Sequence, residues 1–214
     1  MSKKVGFLLL GACLISFIAQ MALYPSLPET IPIHWNAAGE IDGWGSKTTL
    51  FMLNLLPVGI LALLALIPKI DPKKENFVKH KNVYQPFAAL MVFFMIGVNW
   101  MCILAAMGIE LPVSTILMLA MGVIFILLGN YMPRIRPNYT FGIRTPWTLA
   151  SETVWKKTHR VGGYVFVVSG IIIAVCSFFP GWASLIGIGV LLAGAVASSV
   201  YSWVIFREEQ NHNH

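Results

Sequence analysis

The chain has 214 residues, of which 57% are hydrophobic and only 11% charged, and its formal net charge is +6. A soluble domain carries about a quarter charged residues, so this composition excludes an ordinary soluble protein. It indicates a membrane protein, because a charged side chain at the centre of a bilayer costs a few kcal/mol.

Six apolar segments are long enough to span the hydrocarbon core, which takes about 20 residues. They are residues 5–24, 48–67, 86–107, 113–132, 161–179 and 184–205. The first follows two lysines, but its apolar run is longer than that of a signal peptide and no small-residue cleavage site follows, so we predict a retained helix. The predicted fold is therefore an all-α integral membrane protein with six transmembrane helices.

The predicted orientation follows from the basic residues in the connectors between these helices. With the N-terminus in the cytoplasm, fourteen of the fifteen lysines and arginines lie inside and only Lys47 lies outside. Both termini are therefore predicted to be cytoplasmic. The positive charge then reflects topology and contact with anionic lipid, and no direct nucleic-acid partner is expected.

The apolar segments themselves carry little chemistry. No Asp, Glu, Lys or Arg lies near the middle of any of them, which disfavours ion pumps and proton-coupled carriers. Asn54 and Asn99 are embedded in two of the segments and are predicted to form interhelical hydrogen bonds. Cys13, Cys102 and Cys176 lack metal-ligand spacing and are predicted to be small packing residues.

The first connector (residues 25–47) is predicted to be an extended or turning chain on the outer side, because its prolines resist helix and its glycines permit tight turns. His34, Asn36, Glu40 and Asp42 could converge as metal or proton-transfer groups, but one histidine and two carboxylates fall short of a metal site. A loop folded over the outer mouth by its own hydrogen bonds is favoured, and a binding surface is the alternative.

Three further connectors are simpler. The second connector (residues 68–85) is rich in lysine and is predicted to be a solvated loop that faces lipid. The third and fifth connectors, near residues 108–112 and 180–183, are predicted to be tight turns.

The fourth connector (residues 133–160) concentrates polar and aromatic side chains on the predicted inner side. Asn138 and Gly142 are turn residues, and the run from Arg144 to Thr148 predicts a rigid, partly extended chain. Ser151 is a predicted N-cap with Glu152 in the first turn. From there one helical face carries Trp155, His159 and Gly162 or Gly163, which predicts an amphipathic start of the fifth span.

Two side chains of this connector have both a structural and a functional interpretation. Arg144 suits a structural ion pair or a clamp on carbonyl groups, and it could also bind a phosphate or carboxylate. His159 could titrate near neutral pH, although a packed interfacial histidine is favoured. The sequence contains no nucleophile–base motif and no phosphate-binding loop, so no catalytic residue, metal or cofactor is predicted.

These residues form a recognisable pattern: a G-N pair, an N-x-x-x-G-I-R-T-P-W-T-L run and a W-x-x-x-H-R-x-x-G run. The matching residues are Gly129, Asn130, Asn138, Gly142, Ile143, Arg144, Thr145, Pro146, Trp147, Thr148, Leu149, Trp155, His159, Arg160 and Gly163. On this pattern the chain resembles the SdpI family of bacterial membrane proteins, named for the immunity protein against a secreted Bacillus killing factor.

The first connector resembles a small uncharacterised module that often precedes this family region. The module pattern is I-P-x-H-W/F-N-x-x-G-x-x-D-G-x-x-S-K. It is matched by Ile31, Pro32, His34, Trp35, Asn36, Gly39, Asp42, Gly43, Ser46 and Lys47.

The resemblance implies a bacterial plasma-membrane protein, not an enzyme, that protects the cell from a membrane-active toxic peptide. In the type member it also implies signalling, in which the toxin-engaged protein captures a small transcriptional repressor at the membrane. The expected partners are membrane lipids, a secreted toxin peptide outside and such a repressor inside. We expect two domains: an N-terminal helical hairpin at 1–67 that contains the first connector, and a four-helix region at 68–214 that contains the fourth.

Two alternatives stay open. One is a membrane enzyme or lipid-handling protein in which Arg144 holds a head-group phosphate and His159 or His34 transfers protons. The other is a small-molecule carrier, which the uncharged spans disfavour.

Overall fold

The computed structural model describes residues 1–79, 81–179 and 183–212 and is mostly helical. Six helices are long and apolar enough to cross a membrane, as predicted. They are α1 (Lys3–Leu23), α2 (Thr49–Ile70), α4 (Lys81–Ala106), α5 (Val113–Tyr131), α7 (Glu152–Cys176) and α8 (Ala183–His212). Two short helices, α3 (Lys74–Lys79) and α6 (Pro146–Ala150), lie in the second and fourth connectors.

The helix ends follow local chemistry. The Ser2 hydroxyl accepts a hydrogen bond from the Val5 amide at 3.3 Å and so caps the start of α1. Helix α1 gives way to a single 3-10 turn at Pro25, and α5 to a similar turn at Pro133, because proline has no amide to continue the helical bonds.

The fifth long helix begins earlier than the predicted span. We expected a span at 161–179 preceded by an amphipathic stretch, and the structure has one continuous helix from Glu152. Ser151 caps it, as predicted, by accepting a hydrogen bond from the Val154 amide at 3.3 Å. Because no proline interrupts residues 152–176, the two parts join without a break.

The first connector contains a β-hairpin that adds a small sheet to the predicted all-α fold. Strands β1 (Thr30–Trp35) and β2 (Ile41–Ser46) pair antiparallel, with Ile31 opposite Gly45. The third connector is a tight turn with Gly108 at φ +80°, as predicted. The predicted fifth connector, 180–183, lies outside the described residues except for Ala183, where α8 begins.

The chain forms two compact units, and each unit combines segments that are distant in the sequence. The first unit comprises residues 1–67 and 84–117, and the second comprises residues 68–83 and 118–214. The predicted domains, with a boundary between residues 67 and 68, are regions of sequence resemblance and not packing units, and they stay a prediction.

In the first unit, amide side chains link the helices inside an apolar core. Asn54 Nδ2 on α2 donates to Gln20 Oε1 on α1 at 2.7 Å, and Asn99 Nδ2 on α4 donates to the Leu53 carbonyl at 2.9 Å. Trp100 Nε1 reaches Ser16 Oγ at 3.0 Å. The predicted interhelical hydrogen bonds of Asn54 and Asn99 are thereby confirmed.

In the second unit, α5 and α7 cross at two glycine pairs. An ideal Cβ on Gly129 would lie 2.6 Å from the Gly163 carbonyl oxygen, and one on Gly122 would lie 2.7 Å from that of Gly170. Contacts this short leave no room for a side chain. Small residues therefore allow the two backbones to touch, and the Gly129–Gly163 pair lies beside the fourth connector.

Candidate functional site

The fourth connector folds around two ring side chains of α7. Trp155 and His159 are separated by one helical turn, and their rings stack with centroids 4.0 Å apart and an interplanar angle of 18°. Both are almost completely buried, with 0% and 1% of their surface exposed. Trp155 Nε1 donates to the Ile135 carbonyl at 2.8 Å, so the indole also fixes the chain just after α5.

Both ring nitrogens of His159 are occupied by backbone groups. Nε2 accepts a hydrogen bond from the Ile143 amide at 3.0 Å, which requires that nitrogen to be unprotonated. Nδ1 therefore carries the proton and donates to the Trp155 carbonyl at 2.9 Å. His159 is thus a neutral crosslink between α7 and the fourth connector.

Gly142 makes this crosslink possible. Its φ of +108° lies in a region that L side chains rarely adopt, and an ideal Cβ on it would collide with His159 Nε2. Gly162 has a similar role one turn further along α7, where a Cβ would collide with the Ile143 side chain.

Asn138 organises the turn that leads to Gly142. It is fully buried, and its Oδ1 accepts hydrogen bonds from the Thr140 and Phe141 amides at 3.0 and 2.6 Å. Its Nδ2 donates to the carbonyls of Arg136 and Phe141, both at 2.9 Å. All four hydrogen-bonding positions of this amide are therefore used within its own loop.

The second connector reaches the same turn, which corrects the prediction of a solvated, lipid-facing loop. Asp71 is only 2% exposed, and its Oδ2 accepts hydrogen bonds from the Tyr139 amide at 2.9 Å and from Thr140 Oγ1 at 2.8 Å. Asn76 Nδ2 donates to the Pro137 carbonyl at 2.6 Å. Asp71 was not predicted as a site residue, because a carboxylate in a lysine-rich segment is expected to be solvated. Its position directly after an apolar helix and before Pro72 is the sequence signal that could have identified it.

The segment from Arg144 to Thr148 is fastened by hydroxyl groups. Thr145 caps α6 by accepting from the Thr148 amide at 3.2 Å, and Thr148 Oγ1 in turn accepts from the Thr145 amide at 2.9 Å. Thr145 Oγ1 also meets Ser202 Oγ of α8 at 2.9 Å. The short helix α6 is thereby held against α8.

Arg144 is a clamp on a carbonyl group, and its side chain is exposed on the protein surface. Its Nη1 donates to the Tyr139 carbonyl at 2.6 Å, and in the described part of the chain it has no carboxylate partner. The ion-pair interpretation is therefore not borne out there. The remaining guanidinium N–H groups have no hydrogen-bond partner among the described residues, so they are available to an outside acceptor.

The predicted site residues thus separate into a buried and an exposed group. Asn138, Thr148, Trp155 and His159 are buried in one hydrogen-bonded cluster, which Gly142 completes. The exposed residues are Asn130, Arg144, Pro146 and Arg160. Asn130 does not join the cluster, because its Nδ2 donates to the Ile126 carbonyl of its own helix at 2.9 Å. Thr145 and Trp147 are partly buried and belong to neither group.

The hairpin of the first connector is closed by Asn36. Its Oδ1 accepts from the amides of Ala38 and Glu40 at 2.9 and 3.0 Å, and its Nδ2 donates to Glu40 Oε2 at 2.9 Å. Gly39 follows the turn with φ +86°. These bonds agree with the predicted loop folded by its own hydrogen bonds.

The base of the hairpin is anchored on the first unit. Ile31 is fully buried with Leu27, Leu50 and Ile103. Lys47 has a side chain only 17% exposed, pairs with Glu29 at 2.9 Å and lies 5.2 Å from the centre of the Tyr24 ring. The Lys47 charge is thus partly sequestered at the base of the hairpin.

The exposed face of the hairpin carries His34, Asp42 and Trp44. His34 Nδ1 lies 2.5 Å from Asp42 Oδ1, and Trp44 is 61% exposed, whereas Trp35 is partly buried. Gly43 lies opposite His34, and a Cβ on it would collide with the His34 Cβ at 2.7 Å. Within residues 1–79, 81–179 and 183–212, no three His, Cys, Asp or Glu side chains are grouped to hold a metal ion.

Comparisons with known proteins agree with this architecture. A family described as the SdpI/YfhL protein family matches residues 134–202, and a domain of unknown function, DUF1648, matches residues 11–58. The "Immunity protein SdpI" of Bacillus subtilis (strain 168) is 32% identical over 207 residues, which cover 96% of this chain and 97% of that protein. No solved structure matches the chain.

The matches cover both polar connectors. The first connector lies inside residues 11–58 and most of the fourth lies inside residues 134–202. Together with the six long apolar helices, the similarity indicates a multi-pass protein of the bacterial plasma membrane. The chain belongs to the SdpI/YfhL protein family.

Proposed function

We propose that this protein is a membrane immunity protein that protects a bacterial cell from a secreted, membrane-active peptide toxin. The observation that carries the proposal is the 32% identity to an immunity protein over 96% of the chain. The geometry adds support, because the motif residues are built into a rigid cluster on one connector while a folded hairpin is presented on another.

The hairpin is the surface that we assign to the toxin. It exposes Trp44 beside Asp42 and His34, and the first connector carries Glu29, Glu40 and Asp42 against the single basic residue Lys47. An exposed indole with surrounding carboxylates suits a peptide that has both apolar and cationic side chains. We propose that this face lies outside the cell, in agreement with the charge bias of the connectors.

The exposed part of the fourth connector is the surface that we assign to signalling. Arg144, Pro146 and Arg160 are exposed on the protein surface, and the buried Trp155–His159 pair holds their backbone in place. We propose that a small cytoplasmic repressor binds here, with the Arg144 guanidinium meeting an acidic or carbonyl acceptor on the partner.

Immunity is tested by survival. The protein would be produced in a Bacillus strain that lacks its own immunity protein, and the cells would be exposed to the secreted killing factor. We expect wild-type protein to protect, Trp44→Ala to lose most of the protection, and Met52→Ala to keep it. Met52 is a matched control because it is also strongly exposed, at 74%, but lies on α2 and not on the hairpin.

All three proteins must reach equal membrane levels, which immunoblotting of membrane fractions would verify. Absence of protection by the wild-type protein would refute the immunity function. Equal protection by Trp44→Ala and wild type would refute only the assignment of the hairpin as the toxin-binding surface, and not the immunity function.

Signalling is tested with a reporter gene behind the protein's own promoter. We expect Arg144→Gln to abolish induction by toxin while survival is retained, and Lys157→Gln to leave induction unchanged. Lys157 is the matched control because it is an exposed cation on α7 outside the motif. Normal induction with Arg144→Gln would remove that residue from the proposed surface.

The alternative of a membrane enzyme or lipid-handling protein has less geometric support. One form of it requires His159 to exchange protons with a substrate, but this side chain is 1% exposed and has both nitrogens bonded to backbone. The other form uses His34, which is exposed on the hairpin beside Asp42. Under the proposed function, His159→Ala lowers the amount of folded protein. Under the alternative it would abolish turnover while abundance stays normal.

A further inference from the structure

A second surface of the protein lies on α8, beside the short helix α6. Trp147, Ser199, Val200 and Trp203 line an open groove of about 250 Å³. Its walls are apolar, because the one hydroxyl among them, Ser199 Oγ, donates to the Ala195 carbonyl of its own helix at 2.9 Å. The groove therefore offers mainly apolar contact, which suits a hydrocarbon chain.

The groove continues as an apolar stripe along α8. Leu192, Val196 and Val200 follow each other at four-residue spacing and are each more than half exposed, so they lie on one face of the helix. From Leu192 to Trp203 the helix rises about 16 Å at ~1.5 Å per residue. One leaflet of hydrocarbon is about 15 Å thick, so the stripe has the length of one leaflet.

A cation lies at the end of this stripe. The Arg207 guanidinium is 5.3 Å from the centre of the Trp203 ring, which places it on the same face one turn beyond the groove. Among the described residues it has no carboxylate partner. Glu208 and Glu209 follow in sequence, but neighbours one and two positions apart on a helix point to other sides.

Residues of the family motif hold one wall of the groove in position. Trp147 belongs to α6, which the Thr145–Thr148 capping box starts and the hydrogen bond between Thr145 and Ser202 fastens to α8. A ligand in the groove would therefore contact α6, the helix that begins two residues after Arg144.

We propose that this groove binds one anionic phospholipid, with an acyl chain along Leu192–Trp203 and the head-group phosphate on Arg207. Charge complementarity selects the anionic lipid, because Arg207 is a cation at the end of an apolar stripe of leaflet length and has no carboxylate partner among the described residues. A tryptophan at this level is also typical of the boundary between hydrocarbon and head groups. The site does not depend on the immunity function.

The test uses the purified full-length protein in detergent, equilibrated with equal amounts of phosphatidylglycerol and phosphatidylcholine, and native mass spectrometry of the bound lipid. We expect one retained phosphatidylglycerol, preferred about fivefold over phosphatidylcholine, since one basic group near a surface favours anionic lipid by about that factor. Arg207→Gln should remove the preference, and Arg207→Lys should keep most of it.

Three further measurements define the site. Lys157→Gln removes an exposed cation elsewhere and should leave the preference unchanged. Trp147→Ala removes a wall of the groove and should reduce retention of both lipids, while the preference for the anionic lipid stays. Glycerol phosphate in excess should not displace the lipid, because it lacks the acyl chain.

Equal binding of the two lipids by the wild type would overturn the proposal, as would an unchanged preference in Arg207→Gln. Displacement by glycerol phosphate would also overturn it, since it would indicate a site for the free phosphate group. Thermal unfolding of every variant verifies that the fold is retained. If Arg207→Gln fails to fold, Arg207→Lys and Trp147→Ala still decide the result.

Discussion

At the scale of single residues, the fourth connector depends on groups whose roles are fixed by position. Asn138 uses every hydrogen-bonding position of its amide, and His159 is held as one neutral tautomer by two backbone groups. A buried polar group costs free energy unless it is bonded. Each of these residues is therefore replaceable only by a side chain that makes the same bonds.

Gly142 provides the sharpest residue-scale prediction. We expect Gly142→Ala to lower the free energy of unfolding by about 1–3 kcal/mol, because alanine is strained at φ +108° and its methyl group displaces His159 from the Ile143 amide. The measurement is thermal unfolding in detergent, followed by tryptophan fluorescence. Gly189→Ala is the matched control, since nothing lies within 4 Å of its added Cβ. Equal effects of the two substitutions would contradict the prediction.

At the scale of elements, the second and fourth connectors form one structure through Asp71. A single carboxylate accepts hydrogen bonds from Lys73 N at 2.7 Å, from Tyr139 N at 2.9 Å and from Thr140 Oγ1 at 2.8 Å. Such bonds to an ionised acceptor are stronger than those between neutral groups. Asp71 therefore sets the position of the 138–142 turn from outside that connector.

We expect Asp71→Asn to destabilise the protein by about 1–3 kcal/mol, since an amide NH₂ would face donors that now meet a carboxylate oxygen. The fourth connector should also become easier to cleave with trypsin after Arg144. Glu75→Gln is the control, because Glu75 is exposed in the same connector and should change stability by less than about 0.5 kcal/mol. Unchanged proteolysis in Asp71→Asn would argue against this role.

The crossing of α5 and α7 gives a second element-scale prediction. We expect Gly163→Val to lower the unfolding temperature strongly, because an added side chain would meet the Gly129 carbonyl oxygen 2.8 Å from its Cβ. Once the helices are forced apart, adding Gly129→Val should cost less than it does alone. Gly189→Val, placed in open space, is the control. Additive costs for the two glycines would indicate that they do not share one contact.

At the scale of the whole molecule, the length of the apolar segments and the type of the residues at their ends predicted the features that depend on local chemistry. The six long helices, the Ser151 cap and the ends of α1 and α5 at prolines all depend on residues close in the chain. The bond from Asp71 to Tyr139 joins residues 68 positions apart, and no single sequence reveals such a pairing. The hairpin was predicted only as an extended chain, since strand pairing also depends on the register between two segments.

The same distinction applies to the candidate site. The pattern identified Trp155 and His159 on one helical face, because a spacing of four residues predicts it. It did not reveal that His159 bonds the Ile143 amide, and it left open whether Arg144 meets a carboxylate or, as the structure shows, a carbonyl oxygen. These choices depend on where the turn at Gly142 directs the chain, and a glycine alone does not specify that direction.

The orientation of the whole chain is the last prediction, and it rests on the placement of fourteen of fifteen basic residues on one side. In a background with the three native cysteines replaced by alanine, single cysteines would be placed on the hairpin as Ala38→Cys and on α7 as Lys157→Cys. Both positions are exposed. A membrane-impermeant maleimide should label Ala38→Cys in intact cells and Lys157→Cys only after permeabilisation. The reverse pattern would place the hairpin inside and move the proposed toxin surface away from any secreted peptide, whereas labelling of both in intact cells would indicate a chain inserted in two orientations.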